Sequence, residues 1–121
     1  MNSIQLPHHH SEHSHSLLEQ LPEAAAFETL ADLYHQLSDG NRLRLFWILC
    51  HCEECVIDLA AMMQMSSPAL SHHLKLLKAA GLIVSRREGK EVYYRCADTR
   101  EAKLLHDQIE SLMALTCPVS K

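Results

Sequence analysis

No run of about 18 apolar residues occurs in this 121-residue chain, so no helix that crosses a bilayer is expected. The first residues also lack the apolar segment of a secretory signal. They are polar and rich in histidine, and a cytoplasmic location is the expectation. There is no net positive charge: the formal charge is -4, so any attraction to a polyanion must be local. The cysteines do not form an even set. Cys50, Cys52, Cys55, Cys96 and Cys117 are five, which in a reducing compartment speaks against a disulfide framework and for metal or redox chemistry. No Ser-His-Asp grouping, phosphate loop or paired acid/base motif is present, so an enzyme is not expected. There is no internal repeat, and the length suits one compact domain with a tail.

What is present is concentrated in residues 66–97, SSPALSHHLKLLKAAGLIVSRREGKEVYYRCA. An amphipathic helix with polar residues at its leading end stops at Gly81. Two strand-like runs follow, 83–87 and 91–96, joined through Glu88-Gly89-Lys90. A helix of this kind can enter a major groove while a basic hairpin touches phosphates. Residues 64–97 carry Lys75, Lys78, Arg86, Arg87, Lys90 and Arg95 against Glu88 and Glu91, a local charge of +4 on an acidic chain. Counterion release rewards that placement of cations, and a basic surface without a partner is the bland alternative.

The remaining chain reads as helices around that unit. Residues 1–20 form a flexible His-rich arm, 21–117 the folded domain and 118–121 a short tail. From residue 23, Phe27, Leu30, Ala31, Tyr34 and Leu37 recur at spacings of three and four and predict one buried face. Asp39 or Asn41 caps the next helix, through Leu43, Phe46, Trp47 and Leu49. Residues 50–54 form a connector, 56–63 a short helix and 64–66 the turn. Ser66 or Ser67 then caps the amphipathic helix, with Pro68 in its first turn. The last helix starts near Asp98, a candidate N-cap. Its apolar positions Ala102, Leu105, Ile109 and Leu112 suit a helix seam between two subunits, or packing on its own domain.

Four fragments in this order, LSDGNRLRLFWIL, ECVIDLA, SSPALSHHLKLLKAAGLI and RREGKEVYYR, resemble the ArsR/SmtB family of metal-responsive repressors. They cover about half the chain. The resemblance implies a mainly α winged helix-turn-helix of about five helices with a two-stranded wing, dimerising through terminal helices. It implies a homodimer that binds double-stranded operator DNA and is released by an effector. The family's recognition helix meets DNA at the positions of Ser67, Pro68, Ser71 and His72. Pro68 departs from the usual polar residue, so operator preference is not inherited. Lys75, Arg86, Arg87 and Lys90 complete the expected DNA surface.

The resemblance also locates the effector chemistry. Cys55 and Asp58 fall on the ligand positions of the site that opens the first helix of the helix-turn-helix. Zinc-type members complete it with Cys or His from the partner's N-terminal arm. Here the arm offers His8, His9, His10, His13 and His15 and no cysteine. Thiolate, imidazole and carboxylate together suit Zn(II). Cys50, Cys52 and Cys55 form Cys-x-Cys-x-x-Cys, which could hold As(III), Cd(II) or Pb(II) through sulfur. A buried, merely packing Cys50 is the alternative. The family's second site matches Asp98, Arg100, Ser111 and Ala114, of which only Asp98 is a ligand type, so that site is absent in its usual form. His106 and Glu110, four apart on one helix, could make a displaced site or be plain surface residues. Some members sense reactive sulfur or oxidants through two cysteines, and Cys50 and Cys117 lie in the corresponding regions. Cys96 reads as packing. Outside this family, a metal-storage or interaction protein using the arm is the remaining reading.

Overall fold

The computed structural model describes residues 4–116. In chain order the elements are α1 (Glu12–Gln20), α2 (Ala24–Gln36), α3 (Gly40–Leu49), β1 (Glu54–Cys55), α4 (Val56–Met63), α5 (Ser67–Ala79), β2 (Ile83–Glu88), β3 (Glu91–Cys96) and α6 (Arg100–Thr116). This is a winged helix-turn-helix. The chain divides into two compact units between Asp32 and Leu33, inside α2.

The second unit holds the core. Asp39 begins α3 by accepting the Arg42 N–H at 3.0 Å. Leu45, Phe46, Ile48 and Leu49 are buried from α3, Leu59, Ala60 and Met63 from α4, and Leu70, Leu74 and Leu77 from α5. Leu82, Ile83, Ala97, Ala102 and Leu105 close the same cluster. The turn between α4 and α5 is sharp because Gln64 takes a left-handed conformation, φ 55°. Ser66 then accepts the Ala69 N–H at 3.2 Å and Pro68 fills the first turn, where no N–H is needed. Gly81 (φ +78°) lets the chain leave α5 for β2 in a conformation that a side chain disfavours.

β2 and β3 pair antiparallel from Ile83↔Cys96 to Glu88↔Glu91. The connection is the two residues Gly89-Lys90, shorter than the three-residue link expected. Gly89 has φ +64° and Lys90 is not left-handed, as a II′ hairpin with glycine in its first central position requires.

Four expectations change. The sheet has three strands, in the order β1-β3-β2: Glu54 pairs with Tyr94 and Cys55 with Tyr93. Two residues carry no periodicity, so β1 exists because the wing offers it a partner. The described residues hold six helices, not about five, because part of the supposed flexible arm is α1, begun by Ser11 accepting the Ser14 N–H. The predicted buried face of α2 is open in the single chain. Leu37 is buried, but Phe27, Leu30 and Tyr34 are about half exposed, at 51%, 46% and 46%. Finally, Thr99 and not Asp98 accepts the first N–H of α6, from Ala102 at 3.2 Å, while Asp98 pairs with Lys103 at 2.9 Å. On α6, Ala102 and Leu105 are buried against the domain and Ile109 packs on it, whereas Leu112 lies exposed.

Candidate nucleic-acid interface and metal centres

The period of α5 sorts its side chains into two faces. Leu70, Leu74 and Leu77 are 0–1% exposed and anchor the helix. Ser67, Pro68, Ser71, His72 and Lys75 are exposed on the remaining surface. Short hydroxyls, an imidazole and a cation at the leading end of a rigidly seated helix can reach base edges and phosphates. His73 is turned inward. Its Nδ1 accepts from Arg42 Nε at 3.4 Å and its Nε2 stands 4.0 Å from Asp39. Burial pushes the imidazole below its usual pKa, opposed by Asp39 and assisted by Arg42. His73 thus ties the α3 cap to α5.

The wing's cations differ from one another. Arg87 and Lys90 are exposed and, among the described residues, have no ion-pair partner. Arg86 is engaged within the chain. Its Nε and Nη2 each donate to Glu53 at 2.9 Å, Nη1 donates to Glu88, and the guanidinium lies 4.9 Å from the Tyr93 ring centroid. That bidentate contact holds the Glu53 carboxyl below the usual range. In the sequence Arg86, Arg87 and Lys90 are indistinguishable as free cations, because Glu53 lies 33 residues away from Arg86.

Among the described residues, two groupings have metal-ligand types with donor atoms within 4.8 Å of one another: Glu54, Cys55 and Asp58, and His51, His106 and Glu110. The first contains both sequence-predicted ligands. Cys55 is the N-cap of α4 and Asp58 lies three residues on, in its first turn, so their side chains share one side of the helix start. Cys55 makes no capping hydrogen bond and is buried, while Asp58 is exposed. Glu54, from β1, is the member that the sequence reading did not name as a ligand. Its adjacency to Cys55 was the available signal.

Cys50 and Cys52 do not join Cys55, so the three thiols are not one cluster here. The physical reason is the end of α3. Cys50 closes the helix and points inward, with its Sγ 3.5 Å from Cys96 Sγ. Cys52 Sγ donates back to the Ile48 carbonyl at 3.5 Å. Burial pushes both thiols above their usual range, most strongly at Cys50, where Cys96 adds to it. Cys117 lies outside the described residues. In the first unit, His9 and His15 stand ring to ring at 4.3 Å, His8 and His10 stack at 5.4 Å, and His13 is exposed.

Residues 39–85 match the family model "Bacterial regulatory protein, arsR family". The chain is 39% identical over 85 residues to a transcriptional repressor SmtB homolog of Synechocystis, an alignment that covers 70% of this chain and 64% of that protein. It is 38% identical over 77 residues to a cadmium resistance transcriptional regulatory protein CadC homolog of Staphylococcus aureus, covering 63% and 64%. The chain thus spans a little under two thirds of these relatives. Among solved structures, it is similar to the homodimeric winged helix-turn-helix DNA-binding domain of a possible ArsR-family transcriptional regulator from Mycobacterium bovis. That likeness has a TM-score of 0.66 and 30% identity, and covers 74% of this chain and 82% of the other.

Proposed function

This chain belongs to the ArsR/SmtB family of bacterial regulators, and on that footing we propose that it is a homodimeric transcriptional repressor released from operator DNA by a metal ion. The observation that carries the DNA-binding half is α5: an anchored helix that presents Ser67, Pro68, Ser71, His72 and Lys75 outward, with Arg87 and Lys90 beside it in sequence on the wing. Ser71 and His72 read base edges, while Lys75, Arg87 and Lys90 neutralise phosphates. A dimer supplies two half-sites, and the uncovered α2 positions Phe27, Leu30 and Tyr34 supply apolar surface for the subunit contact. The M. bovis relative, described as homodimeric, supports the same assembly.

The effector site in this reading is Glu54, Cys55 and Asp58. One thiolate and two carboxylates fit a zinc-type or cadmium-type ion and leave room for a further donor. In this reading the further donor comes from His8, His9, His10, His13 or His15 of the partner subunit's arm. The separation of Cys50 and Cys52 from Cys55 weighs against As(III) or Pb(II) held by three sulfurs. When bound, the ion supplies a cross-link at the start of α4. The chain then carries that restraint two ways. α4 packs on α5, the reading helix, and Cys55 pairs with Tyr93 of the wing, while Glu53 grips Arg86. A shift at residues 53–58 therefore moves both DNA-contacting elements together. A coupling of about 1–3 kcal/mol is the usual scale, and operator DNA must weaken metal binding by the same factor.

A thiol-based reading has one observation behind it, the approach of Cys50 and Cys96. Against it, burial holds Cys50 in the protonated form, which is the weak nucleophile.

The test is operator release titrated with zinc, cadmium, lead, arsenite and persulfide. Cys55→Ser should bind operator as the parent chain does when metal-free and lose release by metal. Full release of Cys55→Ser by every metal would remove this site from the mechanism.

A further inference from the structure

A second cluster lies at the other end of the connector that leads to Cys55. His51 follows the last turn of α3, its backbone N–H bonded to the Ile48 carbonyl at 2.9 Å. His106 and Glu110 are one turn apart on α6. His51 Nε2 is 3.1 Å from Glu110 Oε2, His106 Nε2 is 3.5 Å from the same oxygen, and the two Nε2 atoms are 3.2 Å apart. A tetrahedral zinc ion with bonds of about 2.0–2.1 Å has its donors about 3.3 Å from each other. The triangle found here has those dimensions, and its donors are the nitrogen and oxygen types that zinc takes.

The surroundings hold the donors in place. Trp47 Nε1 donates to Glu110 Oε2, and the Trp47 ring lies 4.3 Å from that of His51. His51 and His106 meet edge to face at 4.9 Å. Outer partners that orient ligands in this way are a regular part of metal sites. His51 and Glu110 are exposed and His106 is half-buried, so an ion can enter from solvent and a fourth position stays open. None of the three residues coincides with Asp98, Arg100, Ser111 or Ala114, the positions that match the usual C-terminal site of the family. All three come from one subunit.

We propose that His51, His106 and Glu110 form a zinc-type divalent cation site that fastens α6 to the end of α3. The site uses no donor from Cys55 or from the operator, so it can fill in their absence. It restrains the root of the connector that runs through Glu53 to β1, so it sets the starting position of the segment that carries Cys55.

Cobalt(II) separates this site from the thiolate one, because only a sulfur donor gives a near-ultraviolet charge-transfer band. The full-length Cys55→Ser chain should take up cobalt(II) with intense visible bands of a tetrahedral ion, no sulfur band, and loss of the colour on adding zinc. Adding His51→Ala or His106→Ala should weaken cobalt binding at least tenfold, on the scale set by losing even an outer partner of a ligand. Glu110→Gln should weaken it as well. The exposed His51 makes the His51→Ala chain the variant most certain to fold, which metal-free melting checks. The site is overturned if Cys55→Ser gives no such bands, if a sulfur band persists in it, or if the bands survive unchanged in folded His51→Ala.

Discussion

Replacing Arg87 with alanine tests whether the wing cations differ as their partners say they do. Arg87 is exposed with no ion-pair partner among the described residues, whereas Arg86 is held by Glu53 and Glu88. A cation that meets a phosphate releases a counterion, and each such contact contributes about 0.9 to the slope of log K against log salt. In a homodimer the substitution removes two contacts, so the slope should shrink by about 1.8. Between 50 and 200 mM salt, the variant should lose roughly twelvefold less affinity than the parent. The same change should appear on an arbitrary duplex, because phosphates carry no sequence. Arg86→Ala should alter the slope far less and should lower the melting temperature instead, since it frees Glu53 and Glu88. Fluorescence anisotropy with a labelled duplex across a salt series measures both. An equal loss of slope in the two variants, or none for Arg87→Ala, would refute the distinction drawn from their partners.

Other outcomes follow from the same geometry. Leu74→Ala, at a position 1% exposed in the centre of α5, should destabilise the fold by about 3–5 kcal/mol in urea unfolding. Gly81→Ala puts a side chain on a backbone with φ +78°, and should cost about 1–2 kcal/mol by the same measurement. His73 has a folded pKa below its usual value, so the unfolded chain binds the proton more readily. Stability should be full above the ordinary imidazole range, fall as pH drops through it, and level off once pH passes the folded value. His73→Gln should remove that part of the pH dependence.

The parts legible in the sequence were those whose pattern is local. Leu70, Leu74 and Leu77 at helical spacing, a serine before them and Gly81 after them define α5 without any partner. Val92, Tyr93 and Tyr94 beyond Gly89 define the hairpin in the same way. Cys55 and Asp58 were named from the family resemblance, and their place three residues apart at a helix start brings their donors together. What was not legible depended on distant chain. β1 is a strand only because Tyr93 and Tyr94 pair with it. Arg86 loses its freedom to Glu53, and His51 meets His106 across 55 residues. The spacing of Phe27, Leu30 and Tyr34 predicts a buried face, yet all three are about half exposed, because periodicity says nothing of whether the same chain covers an apolar stripe.

The two-residue strand β1 also changes what the wing exposes to other molecules. By pairing with one side of β3, it gives the most apolar strand of the sheet a backbone neighbour on each flank at Tyr93 and Tyr94. The long open edge belongs to β2, which carries Arg86, Arg87 and Glu88. Unpaired strand edges recruit further strands, and charged side chains along an edge resist that. The hairpin is therefore guarded against adding strands from its neighbours. A chain lacking β1, through proline at residue 54 or a break in the connector, should show the failure as edge-to-edge aggregation before any loss of helix content.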